Sequence, residues 1–202
     1  MLKKLLWIAL LLTATTQAAA PSAEATRPSF LRPEQQQMQS ASLAAEVLTR
    51  FHYKPMPLDD AMSEKVFNLY LKSLDPDKFF FTQSDVDQLS AFRDKLDNAI
   101  KEENLGIPFA IFNRYTQRAL ERLTYARQLL KKGFDFKQKE NYQYDRENAD
   151  WATSEAELQK LWRQRVKNDW LRLKLAGKDD KGIAETLDNR YANTLKGIAK
   201  LK

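Results

Sequence analysis

Ser63 with Lys65, and Ser73 with Lys72, are the pairs in this 202-residue chain whose types could support serine–lysine chemistry. That chemistry needs a serine beside a lysine base and an oxyanion hole built from backbone donors. Both pairs fall in a stretch of helical periodicity with no glycine-rich turn nearby. A helix interior has no spare N–H groups, so neither pair reads as catalytic. His52 is the sole histidine. It therefore cannot contribute to a histidine metal cluster, and with no partner in reach of the pattern it forms no Ser-His-Asp triad. Cysteine is absent, which excludes disulfides, zinc–thiolate sites and a thiol nucleophile.

The carboxylates come next. Asp75, Asp77 and Asp85 invite a calcium-loop reading. A loop opening at Asp75 requires an oxygen ligand five positions in, glycine at the sixth and glutamate at the twelfth. The chain supplies Phe79, Phe80 and Val86 there. The aspartates read instead as helix caps and turn residues. Asp145, Glu147 and Asp150 lack the glycine as well. Glu102 and Glu103 are neighbours on a helix and do not face each other. Arg114, Arg118 and Arg122 lie along one helical face and could meet cell-wall or lipid phosphates. The net charge of +6, or +4 without Lys3 and Lys4, is spread along the chain. A nucleic-acid partner would call for a concentrated basic patch, and none is expected.

The first twenty residues have the layout of an export signal. Lys3 and Lys4 precede an apolar run, Leu5 to Leu12, and Ala18-Ala19-Ala20 supplies small residues for cleavage. The run is shorter than the ~20 residues that span a bilayer, so no transmembrane segment is expected. The expected organisation is a signal peptide at 1–20, a proline-containing flexible lead-in at 21–33 and a helical domain at 34–202. The expected destination is the periplasm.

The domain reads as all-α, with about six helices in an irregular arrangement. The first starts at Glu34, with Met38, Ala41, Ala45, Leu48 and Phe51 on one face. The second runs from Asp59 to Leu74 with Met62, Val66, Leu69 and Tyr70 as its buried stripe. A third, 84–103, buries Val86, Leu89, Phe92, Leu96 and Ile100. The fourth, opened by Pro108 and closed by Gly133, carries Ile111, Tyr115, Ala119, Leu123, Ala126 and Leu130. Residues 134–153 have no helical period and are aromatic, which predicts a long loop that is docked or partly extended. Ser154-Glu-Ala-Glu157 is a capping box for the fifth helix. The last starts near Asp180 and carries Leu187, Tyr191 and Leu195.

Between the second and third helices, Pro76 ends one pattern, and Thr82 and Ser84 open the next. Phe79, Phe80 and Phe81 sit between the breaks. They read as anchors that lock helices together or dock this domain on another, and at least two of the three are expected to be buried.

Three blocks carry a resemblance. They are Phe51-His-Tyr53 with Leu58-Asp-Asp-Ala61 and Val66-Phe-Asn-Leu-Tyr-Leu71; Leu74-Asp75 through Phe81 with Ser84-Asp-Val86; and Glu155 to Trp162, Leu173 to Gly177, Glu185-Thr-Leu187 and Arg190-Tyr191. In this order and spacing the chain resembles the N-terminal region of bacterial tail-specific proteases, the carboxyl-terminal-processing serine peptidases, over about residues 45–200. The resemblance implies a helical N-terminal domain followed by a PDZ domain and a serine–lysine protease domain. It also implies protein substrates, no metal or ATP cofactor, and in some members a helical-repeat lipoprotein adaptor. Nothing here resembles the PDZ module or the catalytic serine and lysine, so no catalytic residue carries over. The expectation is a non-catalytic domain that stops before those modules. The alternative is a stand-alone envelope domain that binds a protein partner.

Overall fold

The computed structural model describes residues 30–54 and 56–201; the expected signal peptide and most of the lead-in lie outside them. The described residues form seven α-helices: α1 Gln35–Phe51, α2 Asp60–Leu74, α3 Gln83–Leu89, α4 Leu96–Lys101, α5 Gly106–Lys132, α6 Glu155–Leu175 and α7 Asp180–Ala199. The class is all-α.

The core has two parts. Phe67, Leu71, Phe81, Val86, Leu89, Leu96 and Ile111 bring together α2, α3, α4 and the start of α5. The rest of α5 packs with α6 and α7 around Leu120, Leu123, Ala126, Leu158, Trp162, Ile183 and Leu187. At 27 residues, α5 is about 40 Å long and runs through both parts. Arginines on its polar side tie the neighbours to it. Arg122 forks onto Glu155 at the start of α6, at 2.5 and 2.7 Å, and Arg127 onto Asp188 of α7, at 2.6 and 2.9 Å.

The third helix departs from its sequence pattern. It is broken into α3, a 3-10 turn at Ser90–Phe92, and α4. Ser63 explains the break. Its buried hydroxyl donates to the Arg93 carbonyl at 2.9 Å and accepts from the Leu96 N–H at 2.8 Å. In a continuous helix the Leu96 N–H would reach back four residues; here α2 supplies the acceptor. The same contact shifts the buried row of α2 to Ser63, Phe67 and Leu71. Met62, Val66 and Tyr70 are half-buried, and Leu69, expected inside, is exposed. A polar residue on the inner face and a leucine on the outer one misled the periodicity.

The α1 helix departs further. It buries none of its side chains, and Leu48 and Phe51, expected inside, are exposed. Its entry is nonetheless tied down, because the Asn113 amide of α5 accepts from the Leu31 N–H and donates to the Leu31 carbonyl, both at 2.9 Å. At the start of α6, half of the expected capping box forms. Ser154 caps the Glu157 N–H, but the Glu157 carboxylate turns to the Thr153 N–H and hydroxyl rather than to Ser154.

The aromatic loop is docked. Phe134 and Phe136 lie against Trp170. The Lys167 ammonium, buried under the loop, donates to the Asp135 carbonyl at 2.7 Å and to Glu140 at 2.9 Å. Its extended character among the described residues amounts to one parallel bridge, Thr82 to Ala152, where the Gln83 N–H donates to the Ala152 carbonyl.

Two helices end alike. The Asn104 N–H reaches the Ala99 carbonyl after α4, and the Lys178 N–H reaches the Leu173 carbonyl after α6. Each closure puts the preceding residue in the left-handed region: Gly177 at φ 85° and Glu103 at φ 51°. Glycine adopts that region freely and glutamate does not. Glu103→Gly is expected to raise the unfolding free energy by about 0.5–1 kcal/mol in urea titration. A loss of stability would show that the Glu103 side chain does more than occupy a cap.

Candidate functional site

The candidate residues Phe79, Phe80 and Phe81 sit in a junction organised by Asp75. Asp75 ends α2, and its buried carboxylate accepts the N–H groups of Phe79 at 2.8 Å, Phe80 at 2.8 Å and Phe81 at 3.0 Å. Burial pushes its pKa above the ordinary aspartate value, although the three N–H bonds pull the other way. Lys78 makes the turn possible at φ 56°. Its ammonium donates to the Ala149 carbonyl and lies over the Trp151 ring.

The three rings then part. Phe79, 2% exposed, joins the α5–α6–α7 core, and Phe81, 0% exposed, joins the α2–α5 core. The half-buried Phe80 touches both Tyr115 and Trp162. Trp162 donates its indole N–H to the Phe79 carbonyl at 2.6 Å and meets the Phe79 ring edge-on. Guanidinium groups of Arg165 and Arg146 lie 4.4 and 5.4 Å from the centre of the Phe79 ring. The triple phenylalanine rivets the two halves of the core together.

Beyond the rivet, Thr82 and Asp85 form a reciprocal cap on α3. Asp85 is buried and also accepts from Arg114 at 3.1 Å and from Arg118 at 2.8–3.2 Å. With Arg122 held by Glu155, all three arginines of the row are engaged in internal ion pairs. They form no open anion-binding row, which counts against the phosphate-binding reading.

These ion pairs set the acid stability. The Arg118 hydrogen bonds hold the Asp85 carboxyl below its usual range against the opposing effect of burial. Arg163 and Lys167 hold Glu140 down at about 2. Glu155 and Asp188 are lowered by their arginines, but both are more open to solvent and count for less. Carboxylates depressed in the folded state contribute stability above their unfolded values, and lose it as pH falls through the folded ones. The melting temperature is therefore expected to hold to about pH 5 and to fall steeply between about pH 4 and 2. Asp85→Asn should flatten that acid limb. An unchanged limb would mean that other carboxylates carry it.

The other candidates are accounted for. Ser63 is a structural hydroxyl, as described. The Ser73 hydroxyl donates to the Tyr70 carbonyl, and Lys72 pairs with Glu147. His52 is at the surface, its Nδ1 in contact with the Lys54 backbone. Asp145 accepts from the Glu147 N–H. Among the described residues, no group of three or more His, Cys, Asp or Glu is placed to hold a metal ion. No described helix is long and apolar enough to cross a membrane.

One surface escaped the sequence reading. An apolar cleft of about 350 Å³ lies between α1, Lys54, residues 56–58, α2 and Ile100, and Ala45, Leu48, Met56, Leu58 and Met62 line it. Beside it, Leu43, Val47 and Phe51 form a second, exposed ridge along α1. The i, i+4, i+8 spacing of these three was the available signal. It was masked by the better-populated stripe through Ala41 and Ala45.

Residues 44–202 match the family described as the tail specific protease N-terminal domain. A tail-specific protease of Haemophilus influenzae is 38% identical over 156 residues, covering 77% of this chain and 22% of that protein. The chain thus spans about a fifth of the length of this relative. The family match runs over nearly the whole described region, and the chain belongs to the tail-specific protease N-terminal domain family.

Proposed function

We propose that this chain is the non-catalytic helical N-terminal domain of a periplasmic C-terminal-processing serine protease. It supports the protease core and the access of substrates or an adaptor. The observation that carries the reading is the family match across residues 44–202. Two features of the chain support it. Ser63 bridges α2 to the Arg93 carbonyl and the Leu96 N–H, Ser73 bonds the Tyr70 carbonyl and Lys72 pairs with Glu147, and the rigid junction spends Asp75 and Phe79 to Phe81 on joining two cores. The lysine-initiated apolar run at the N-terminus supports export to the periplasm. Protein substrates, the PDZ and protease modules as partners, and the lipoprotein adaptor belong to the same proposal.

The isolated chain should not cleave a peptide with an apolar C-terminus. Removing the matched fifth from the Haemophilus protease should reduce its cleavage of that peptide, and grafting this chain in its place should restore it. Cleavage by the isolated chain that a serine-directed reagent blocks would sink the non-catalytic reading. A stand-alone binding domain is the second reading, favoured by the exposed ridge of α1. It predicts full activity of the Haemophilus protease without its matched fifth.

A further inference from the structure

We propose that the Leu43–Val47–Phe51 ridge of α1, with the apolar cleft beside it, is the face on which the remaining polypeptide of a tail-specific protease docks. This rests on the reading of the chain as an N-terminal domain, and it names the surface through which that domain acts.

The first ground is the state of α1 itself. In proteins a helix owes most of its stability to tertiary packing of an apolar face. Yet no α1 side chain is fully buried: Met38, Ala41 and Ala45 on its inner face are half-buried, and Leu43, Val47, Leu48 and Phe51 are 62%, 47%, 60% and 78% exposed. With Tyr53 they leave on the order of 600 Å² open, at the upper end of what a monomer ordinarily exposes in one patch and close to one partner's share of a standard interface. Phe79 and Phe81, by contrast, already have their partners inside.

The second ground is charge. No carboxylate lines the apolar cleft, and its one ammonium, Lys54, makes no ion pair among the described residues. Nearby Arg50 is answered by Glu46 on its own helix. The occupant should therefore be an apolar surface with a carboxylate facing Lys54.

The third ground is tethering. In the Haemophilus relative about four-fifths of the polypeptide lies outside the matched region. A covalently linked surface meets this ridge at millimolar effective concentration, so a patch of this size suffices. A second copy at micromolar concentration would need a fuller interface.

The test grafts this chain onto the Haemophilus protease in place of its matched fifth. Amide hydrogen exchange is read over residues 35–58 in the fused protein and in the isolated chain. Exchange in α1 should slow at least tenfold on fusion. Val47→Asp with Phe51→Asp should abolish the slowing, and Lys54→Glu should reduce it. Both ridge positions are exposed, so the double variant of the isolated chain should melt where the parent does, which separates lost docking from lost folding. Maleimide labelling of Val47→Cys, in a chain without native cysteine, gives an independent reading: fast in isolation, slow on fusion.

Protection elsewhere on the domain with α1 unchanged would overturn the choice of face and leave the domain reading standing. A fused protein that protects no surface of the domain, or does not fold, would count against the domain reading itself. Ridge-dependent dimerisation of the isolated chain in sedimentation, with no slowing on fusion, would assign the face to a second copy and overturn the proposal.

Discussion

Trp162→Ala is expected to lower the unfolding free energy by about 5 kcal/mol, the largest loss from any single aromatic truncation in the domain. Trp162 is 1% exposed at the point where α6 meets the phenylalanine junction. Truncation opens a cavity among Phe79, Phe80 and Tyr191, whose rings all contact the indole. It also orphans the Phe79 carbonyl, which accepts the indole N–H at 2.6 Å. Trp162→Phe keeps most of the packing and removes only the donor, so it should cost about 2 kcal/mol. For a domain of ordinary stability, the alanine variant would be barely folded at room temperature. Urea titration followed by circular dichroism decides it. A cost for Trp162→Ala close to that of Trp162→Phe would mean that the junction repacks, and that the rivet is looser than its geometry implies.

That junction was only half legible in the sequence. Helix breakers are local, so Pro76 and the Thr82 cap could be placed by inspection, and the three phenylalanines between them had to go somewhere. Their division between two cores could not be read, because Trp162 and Tyr115 come to them from helices 34 to 83 residues away in the chain. The same distinction runs through the fold. Gly133 and Gly177 closed α5 and α6 where expected, because a left-handed cap is a property of the adjacent turn. The split of the third helix was invisible, because the group responsible, the Ser63 hydroxyl, belongs to α2.

Apolar periodicity misled in one direction. It marks residues that would gain from burial, and does not say whether a surface is present to bury them. In α2 the consequence was one misplaced leucine, Leu69. In α1 it was Leu48 and Phe51, while Met38, Ala41 and Ala45 of the same stripe are half-buried, and the misfit is informative: a helix with two apolar rows and no fully buried side chain has surface to spare for another polypeptide. The arginine row of α5 erred in the opposite sense. Three cations at helical spacing resemble a binding strip, but Asp85 and Glu155, 29 to 33 residues away in sequence, had claimed them.

Asp75→Ala should cost about 4 kcal/mol by removing the one acceptor for three consecutive backbone N–H groups. Phe79 and Phe81 are buried, so water cannot replace the carboxylate without opening both cores. Asp75→Asn retains one oxygen but turns an amide nitrogen toward N–H donors, and about 2 kcal/mol is expected. The aspartate pKa is raised in the folded state, since burial outweighs the N–H bonds. A carboxyl with a raised folded pKa contributes stability that is full below its unfolded value and is lost as pH rises through the folded one. The gap between the wild-type chain and Asp75→Asn should therefore be widest near pH 3 and narrow toward neutrality, opposite to the behaviour of Asp85. A gap that widened with pH would mean that the N–H bonds outweigh desolvation. The junction would then be held by an ionised carboxylate whose folded pKa lies below the ordinary value.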